Sequence, residues 1–364
     1  MSCLIALLGR RDAPTDGVFD YCESLARALP KKGLELRMAP VPWDQVGWFR
    51  AFWDLFRESR TWRGQWIVLQ YTAMAWSRRG FPVGALLSMA ILKLRGARTA
   101  VMFHEPWAIS SASLLNGIRC AFQNWTLRTL HRFSARSIFT VPLHTVFWLP
   151  SGDAHSAFIP LGPNIPENLA PRSSTTHHNG NCKTVAVFCV SESPYHQREV
   201  SDISFAARSA AAEGIKLRVV FVGRGTSEAK DEIDRAFHGT QIEVLNRGLC
   251  APEEVTRVFA ESDALLAVRG RLYLRRGSAL AGIACGLPIV GYAGWAQGTI
   301  IEEAGVTLVP FGDQQALSLA LRNVLTNADL WQEMHEKSRR AQQKYFSWDV
   351  IAASYADFFS GRPA

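Results

Sequence analysis

Arg275 and Arg276 stand immediately before Gly277, Ser278 and Ala279, which open a run of small and apolar residues ending at Cys285-Gly286-Leu287-Pro288. Gly277 and Ser278 read as the start of a short helix, with Ser278 as its N-cap, and Gly286 as its stop. Backbone N–H groups at a helix start attract an anion, and two arginines beside them strengthen the attraction. The chemistry this favours is phosphate binding. The plain alternative is a tightly packed helix with two solvated arginines. Three further residues could act: His104, at the end of an apolar run where a strand delivers a side chain; Glu105, which could orient His104, reach a substrate, or be a solvated loop acid; and Asp16, a candidate substrate contact or an N-cap.

The elements that must position these residues follow from the apolar pattern. Short apolar runs at Ser2–Leu8, Leu34–Met38, Trp66–Gln70, Thr99–Phe103 and Ser137–Val141 read as strands, with helical patterns between them. The alternation restarts at Lys183–Val190 and continues through Leu217–Val222, Gln241–Leu245, Ala264–Val268 and Pro288–Tyr292. Helices are expected over Ser201–Ala212, Thr226–Phe237 and Pro252–Ala260, with Asp313 and Ser347 capping two more near the end. Strands alternating with helices imply parallel sheets covered on both faces.

The reading is therefore α/β, with two Rossmann-like, doubly wound domains facing each other across a cleft. The expected division is 1–163, a linker over 164–182 rich in Pro, Ser, Thr, His and Asn, a second domain over 183–345, and a terminal helix over 346–364 that returns to the first domain. His177 and His178 lie in the linker and read as solvated rather than metal-binding.

A chain of 364 residues suits two domains, and 48% hydrophobic with 20% charged residues describes an ordinary globular protein. The charge is uneven. Residues 1–165 hold 19 Lys/Arg against 10 Asp/Glu, a surplus of 9, together with nine of the twelve tryptophans. No zinc-finger spacing, RNA-binding signature or long basic block points to nucleic acid, so an anionic small substrate or an anionic membrane surface is the expected partner. Trp48, Phe49, Phe52, Trp53 and Phe56 fall on one helical face, and a packed core helix is expected there ahead of a membrane anchor. Seven cysteines without CxxC pairs read as reduced thiols. Ser2–Leu8 is too short for a leader, and the Phe81–Leu92 run too short to span a bilayer. A cytoplasmic protein, at most peripheral on the inner face of a membrane, is expected.

Several segments, in order, resemble the GT-B glycosyltransferases, and the retaining family-4 type in particular. Ile159-Pro160-Leu161-Gly162 is similar to the family's segment at the domain junction, and Val220-Phe221-Val222-Gly223-Arg224-Gly225 to its strand-to-glycine turn. Arg247-Gly248-Leu249, then Glu253-Glu254-Val255, then Ala260-Glu261-Ser262-Asp263-Ala264 resemble the approach to the nucleotide site. Ala284-Cys285-Gly286-Leu287-Pro288-Ile289-Val290 is the most specific tag, and Phe346-Ser347-Trp348 resembles the opening of the terminal helix.

The resemblance implies a nucleotide-diphosphate sugar held mainly by the second domain, a saccharide, lipid-linked or other hydroxyl acceptor held by the first, and transfer with retention. It implies no cofactor and no required metal. His104 falls on the histidine that touches the donor sugar, Gly17 on the glycine loop near the diphosphate, and Arg198 on the lysine that neutralises the leaving group. Two departures stand out. The family's paired glutamates correspond here to Tyr273 and Ala281, and its upstream arginine falls near Ser191 or Glu192. Arg275 and Arg276 could supply the missing positive charge. Arg198, Arg275, Arg276 and the Gly277 and Ser278 amides are then expected to stabilise a departing diphosphate. The alternatives are an epimerase or hydrolase acting on a nucleotide sugar, and a binding-only relative.

Overall fold

The computed structural model describes residues 2–12, 16–108, 114–166, 182–294 and 300–360. His177 and His178, with most of the expected linker, lie outside the described residues. The chain divides into two compact units, one built from Met1–Leu161 with Trp348–Ala364, the other from Gly162–Ser347.

The first unit runs β1 (Ser2–Leu8), α1 (Gly17–Ala28), β2 (Leu34–Pro40), α2 (Trp43–Val46), α3 (Trp48–Glu58), β3 (Trp66–Tyr71), α4 (Val83–Leu94), β4 (Arg98–Phe103), α5 (Leu114–Phe133), β5 (Arg136–Phe139) and β6 (Ser156–Phe158). Its six strands form a parallel sheet in the order β2-β1-β3-β4-β5-β6. Burial on both faces explains the unbroken apolar strands: all six residues of β3 are buried. One face packs against Ala51, Leu55, Met89, Leu92, Leu127 and Leu130, contributed by α3, α4 and α5. The other packs against Tyr21 and Leu25 of α1, and Trp348, Ile351 and Tyr355 from the end of the chain.

The second unit runs β7 (Lys183–Phe188), α6 (Tyr195–Ala212), β8 (Leu217–Val222), α7 (Lys230–Phe237), β9 (Glu243–Asn246), α8 (Pro252–Glu261), β10 (Ala264–Leu272), α9 (Gly277–Ala284), β11 (Ile289–Ala293), β12 (Val306–Val309), α10 (Gln314–Thr326) and α11 (Ala328–Ala341). Its sheet is also parallel and six-stranded, in the order β12-β11-β10-β7-β8-β9. The last helix, α12 (Trp348–Ser360), belongs to the first unit, where the Tyr355 and Tyr21 hydroxyls meet at 3.1 Å.

Every strand expected from the apolar runs forms, and Asp313 caps α10 through the Ala316 amide. Three elements were not expected. β6 has three residues and β12 four, too short to stand out as runs. Helix α11 carries a clear stripe of Trp331, Met334, His335 and Ser338, all buried. Two expectations need correction. Helix α9 is capped by Arg276, whose extended backbone (φ −74°, ψ 108°) already offers its carbonyl to Ala279 and Leu280, so Ser278 sits inside the first turn. The aromatic stripe of α3 is core only in part: Trp48 packs against the core and stacks on Trp43 at 4.2 Å, Phe52 and Phe56 are half-buried, and Phe49 and Trp53 are exposed.

The other end of α9 closes as expected. Gly286 takes φ +67°, its N–H bonds the Ile283 carbonyl, and the Leu287 N–H bonds Gly282, which is a complete Schellman stop. Among the described residues no helix is long and apolar enough to cross a membrane. All seven cysteines are unpaired.

Candidate functional site

In the second unit, three loops converge at the carboxyl end of the sheet, the end where open α/β sheets bind ligands. The chain leaves β7 through Cys189, which holds a left-handed φ of +63°, and leaves β8 through Gly223 and Gly225. The Val190 N–H donates to the Arg224 carbonyl at 3.1 Å, pinning the two loops together. A Cβ on Gly225 would lie 2.2 Å from the Val190 carbonyl oxygen, and one on Gly223 2.7 Å from the Cys189 sulfur. Only glycine allows this approach. Arg224 is half-buried beside it.

A buried carboxylate anchors the first loop. Glu199, on α6, accepts bonds from the Ser191 amide and hydroxyl, both at 2.7 Å. Arg198 precedes it. The Arg198 guanidinium lies 3.8 Å from Glu199 and 3.9 Å from the buried Asp202, and sits over the Phe311 ring at 4.7 Å. Arg271, at the end of β10, approaches the same ring at 4.5 Å. Asp202 in turn accepts from Gln314 at 2.7 Å and, after burial, is the second cause raising the Tyr292 phenol well above its ordinary pKa.

Arg275 and Arg276 close the group. The Arg276 Nε donates to the Arg271 carbonyl at 3.3 Å, and its guanidinium lies 5.9 Å from the Tyr273 ring. Burial, then the charge of Arg269, hold its pKa below the usual arginine value; Tyr273 and Glu199 act the other way, and Arg275 adds to the lowering. Arginine keeps its proton in proteins, so this marks a cation held where positive charge is already crowded.

The Gly277 and Ser278 amides lie ahead of the first intrahelical bond of α9, which starts at Ala279. Ala279 and Ala281 are fully buried. The structure thus brings Arg198, Arg275, Arg276, Gly277 and Ser278 into one neighbourhood, with Gly223 and Arg224 on an adjoining loop. Sequence reasoning missed Glu199, Asp202, Phe311, Arg269 and Arg271. The pair Arg269-Gly270-Arg271 at a strand end was a visible signal; the others come from distant parts of the chain.

In the first unit, His104 follows β4 and is buried. Its Nε2 lies 2.8 Å from Oε1 of the buried Gln70, and the Tyr21 ring stands edge-on at 5.5 Å. Glu105 is half-buried and contributes, after burial, to raising the Tyr71 phenol above its usual range. Asp16 is the N-cap of α1: one oxygen accepts from Val18 at 2.9 Å and Phe19 at 3.1 Å, the other from Asp12 at 2.9 Å. Of the two roles open to it in the sequence, the cap is the one the structure shows. Gly17 opens α1 beside empty space. Among the described residues, no group of three or more His, Cys, Asp or Glu is placed to hold a metal ion.

No protein-family model and no curated protein sequence matches this chain. Solved structures do. A glycosyltransferase from Rickettsia africae ESF-5 superposes with a TM-score of 0.70 at 12% identity, covering 99% of this chain and 98% of its own. The Anabaena protein HepE, in complex with UDP, gives 0.66 at 15% identity over 99% and 100%. A Listeria monocytogenes protein described as a UDP-N-acetylglucosamine 2-epimerase gives 0.58 at 10% identity over 100% and 98%. At these identities the likeness is one of fold, and it spans the whole chain: two Rossmann-like domains of the GT-B kind.

Proposed function

We propose that this protein is a retaining glycosyltransferase that moves a sugar from a nucleoside-diphosphate donor to a hydroxyl acceptor, without a metal or other cofactor, in the synthesis of a surface polysaccharide, glycolipid or glycoconjugate. The second unit holds the donor and the first the acceptor. The carrying observation is the crowding of Arg198, Arg269, Arg271, Arg275 and Arg276 against two carboxylates, Glu199 and Asp202. This gathered positive charge, to which Arg224 on the adjoining loop adds and which Glu199 and Asp202 offset in part, suits the negative charge of a departing nucleoside diphosphate. Forked guanidinium donors suit phosphate oxygens, and the Gly277 and Ser278 amides add donors that need no reorganisation.

In this reading Arg198 and Arg276 neutralise the leaving group. Arg275, Gly277 and Ser278 hold the diphosphate, with Ala279 packing the helix start and Gly223 and Arg224 shaping the adjoining wall. His104, held by Gln70, contacts the transferred sugar. Gly17 leaves room for the diphosphate, and Glu105 meets the acceptor. Asp16 serves through the helix start that it caps. The fold shared with UDP-bound HepE supports the donor class. The likeness to the epimerase-described structure favours one second reading, epimerisation of a nucleotide sugar at the same cluster.

A thermal-shift screen against UDP, GDP, ADP and CMP, with their sugars, tests the proposal. A ligand at about 100 times its Kd stabilises the native state by about 2.7 kcal/mol. One nucleoside diphosphate should raise the melting temperature where its nucleoside does not, and incubation with the matching sugar and acceptor should yield a retained anomer by NMR. No shift with any nucleotide overturns donor binding. An isomerised nucleotide sugar formed without acceptor replaces transfer by epimerisation.

A further inference from the structure

The largest feature outside the arginine cluster is the outer surface of α3, α4 and α5. All three helices bury their inner faces in the same core cluster against one side of the first sheet, so their outer faces share a direction. They also touch. Gly84 of α4 admits the Trp48 indole of α3, where a Cβ would come within 2.1 Å of the ring, and Arg95 lies 3.8 Å over the Phe56 ring. The Phe81 ring meets Phe122 of α5 at 5.5 Å.

Each outer face is apolar. On α3, Phe49 is 86% exposed and Trp53 54%. On α4, Val83, Leu87 and Leu94 recur at helical spacing, with Leu94 81% exposed. On α5, Leu115 is 78% and Ile118 63% exposed, and Trp125 continues the line. A stripe on one helix is common; three adjoining stripes pointing the same way make a surface.

Charge identifies what covers it. The three helices together hold six Lys/Arg (Arg50, Arg57, Lys93, Arg119, Arg128, Arg132) and two Asp/Glu (Asp54 and Glu58, both on α3), a surplus of four. Exposed Arg50, Arg57, Lys93 and Arg128 are interspersed with the apolar side chains on the same helices. Two copies meeting through this face would set like charges against each other. A nucleic acid would answer the cations and leave leucine, valine and isoleucine unmatched. An anionic bilayer answers both, because its headgroups attract the cations while its acyl boundary takes the aromatic and aliphatic side chains.

We propose that the α3–α4–α5 face docks this protein on anionic phospholipid membranes as a peripheral protein. The proposal stands independently of the transferase reading, since none of these residues belongs to the arginine cluster or to the His104 site.

Co-sedimentation of the full chain with vesicles tests it, comparing phosphatidylcholine alone with phosphatidylcholine containing about 30% phosphatidylglycerol, at about 0.1 M and about 0.5 M NaCl. Binding should be at least about tenfold stronger to the anionic vesicles and weaken in high salt. Phe49→Ser with Trp53→Ser, and separately Leu87→Ser with Leu94→Ser, should each reduce partitioning about tenfold or more. Arg50→Gln, Arg57→Gln, Lys93→Gln and Arg128→Gln together should weaken the preference for anionic lipid. All of these side chains are exposed, and unchanged melting temperatures would show that the variants fold. Failure to bind anionic vesicles, equal binding to neutral ones, or binding unaltered in the apolar variants overturns the proposal. So does light scattering that shows a dimer in the parent chain and a monomer in those variants, which assigns the face to a second copy.

Discussion

The two units are built on one plan, a six-stranded parallel sheet between helices, yet they distribute cations in opposite ways. The first unit spreads arginines over an outer helical layer, beside exposed phenylalanine, tryptophan and leucine. The second is neutral, with 20 Lys/Arg against 20 Asp/Glu between Gly162 and Ser347, and gathers five arginines where strands end and α9 begins. Spread charge acts over distance and weakens with salt. Gathered, partly buried charge discriminates by geometry. One fold thus carries spread cations in one unit and gathered cations in the other.

The largest effect expected from breaking this contrast is at Arg276. Arg276→Ala should lower glycosyl transfer by about 10²–10³, the range for removing a preorganised charge stabiliser, while the melting temperature stays level or rises. The second half follows from the electrostatics: the substitution removes a desolvated cation from the company of Arg269 and Arg275. Steady-state kinetics and calorimetry on one preparation check both halves. Retained turnover with lost stability would make Arg276 a structural residue.

A smaller effect sharpens the comparison through two left-handed glycines. Gly225, in the second unit, has φ +82° and faces the Val190 carbonyl, whereas Gly152, in the first, has φ +74° and open space around it. Gly225→Ala should cost about 2–4 kcal/mol, combining backbone strain with a clash that the pinned loop cannot relieve. Gly152→Ala should cost about 1 kcal/mol from backbone strain alone. Urea unfolding of both variants gives the two values, and equal costs would mean that the site loops are not rigid.

Much of this was readable beforehand, for physical reasons. Strands buried on both faces must be apolar along their length, so Trp66–Tyr71 and Leu217–Val222 announce themselves. Gly286 was readable because a helix stop needs a left-handed residue. The exposure of Phe49 and Trp53 within the α3 stripe was not readable, because periodicity shows that a helix has an apolar face and is silent on what covers it. The cap of α9 differs by two residues from the expected one because Ser278 is the better capping residue by type, while Arg276 caps through its backbone carbonyl with no side-chain bond. The arginine group was half visible: Arg198, Arg275 and Arg276 could be named, but Glu199 and Phe311, which fix Arg198, come together only in the folded chain.

The smallest effect expected is a pH response confined to the first unit. His131, on α5, has Nδ1 2.9 Å from the Ser137 hydroxyl and Nε2 3.5 Å from Asp153. Burial lowers its pKa; Asp153 opposes that shift, His155 adds to it, and the net value falls below the ordinary 6.5. The folded state therefore binds fewer protons than the unfolded chain between these two values, and stability rises with pH across that window. The contribution is fully present above 6.5 and is lost as pH falls from there through the folded value. His131→Gln keeps a hydrogen-bonding partner for Ser137 and removes the titration. Melting temperatures of parent and variant, followed from about pH 8 to about pH 5 by tryptophan fluorescence, should converge in slope above 6.5 and separate below it, with the variant losing about 1–2 °C less. Fluorescence is the right probe because ten of the twelve tryptophans, nine before residue 165 plus Trp348, belong to this unit. A parent chain more stable in acid than the variant would reverse the sign and place a charged His131–Asp153 pair in the folded state.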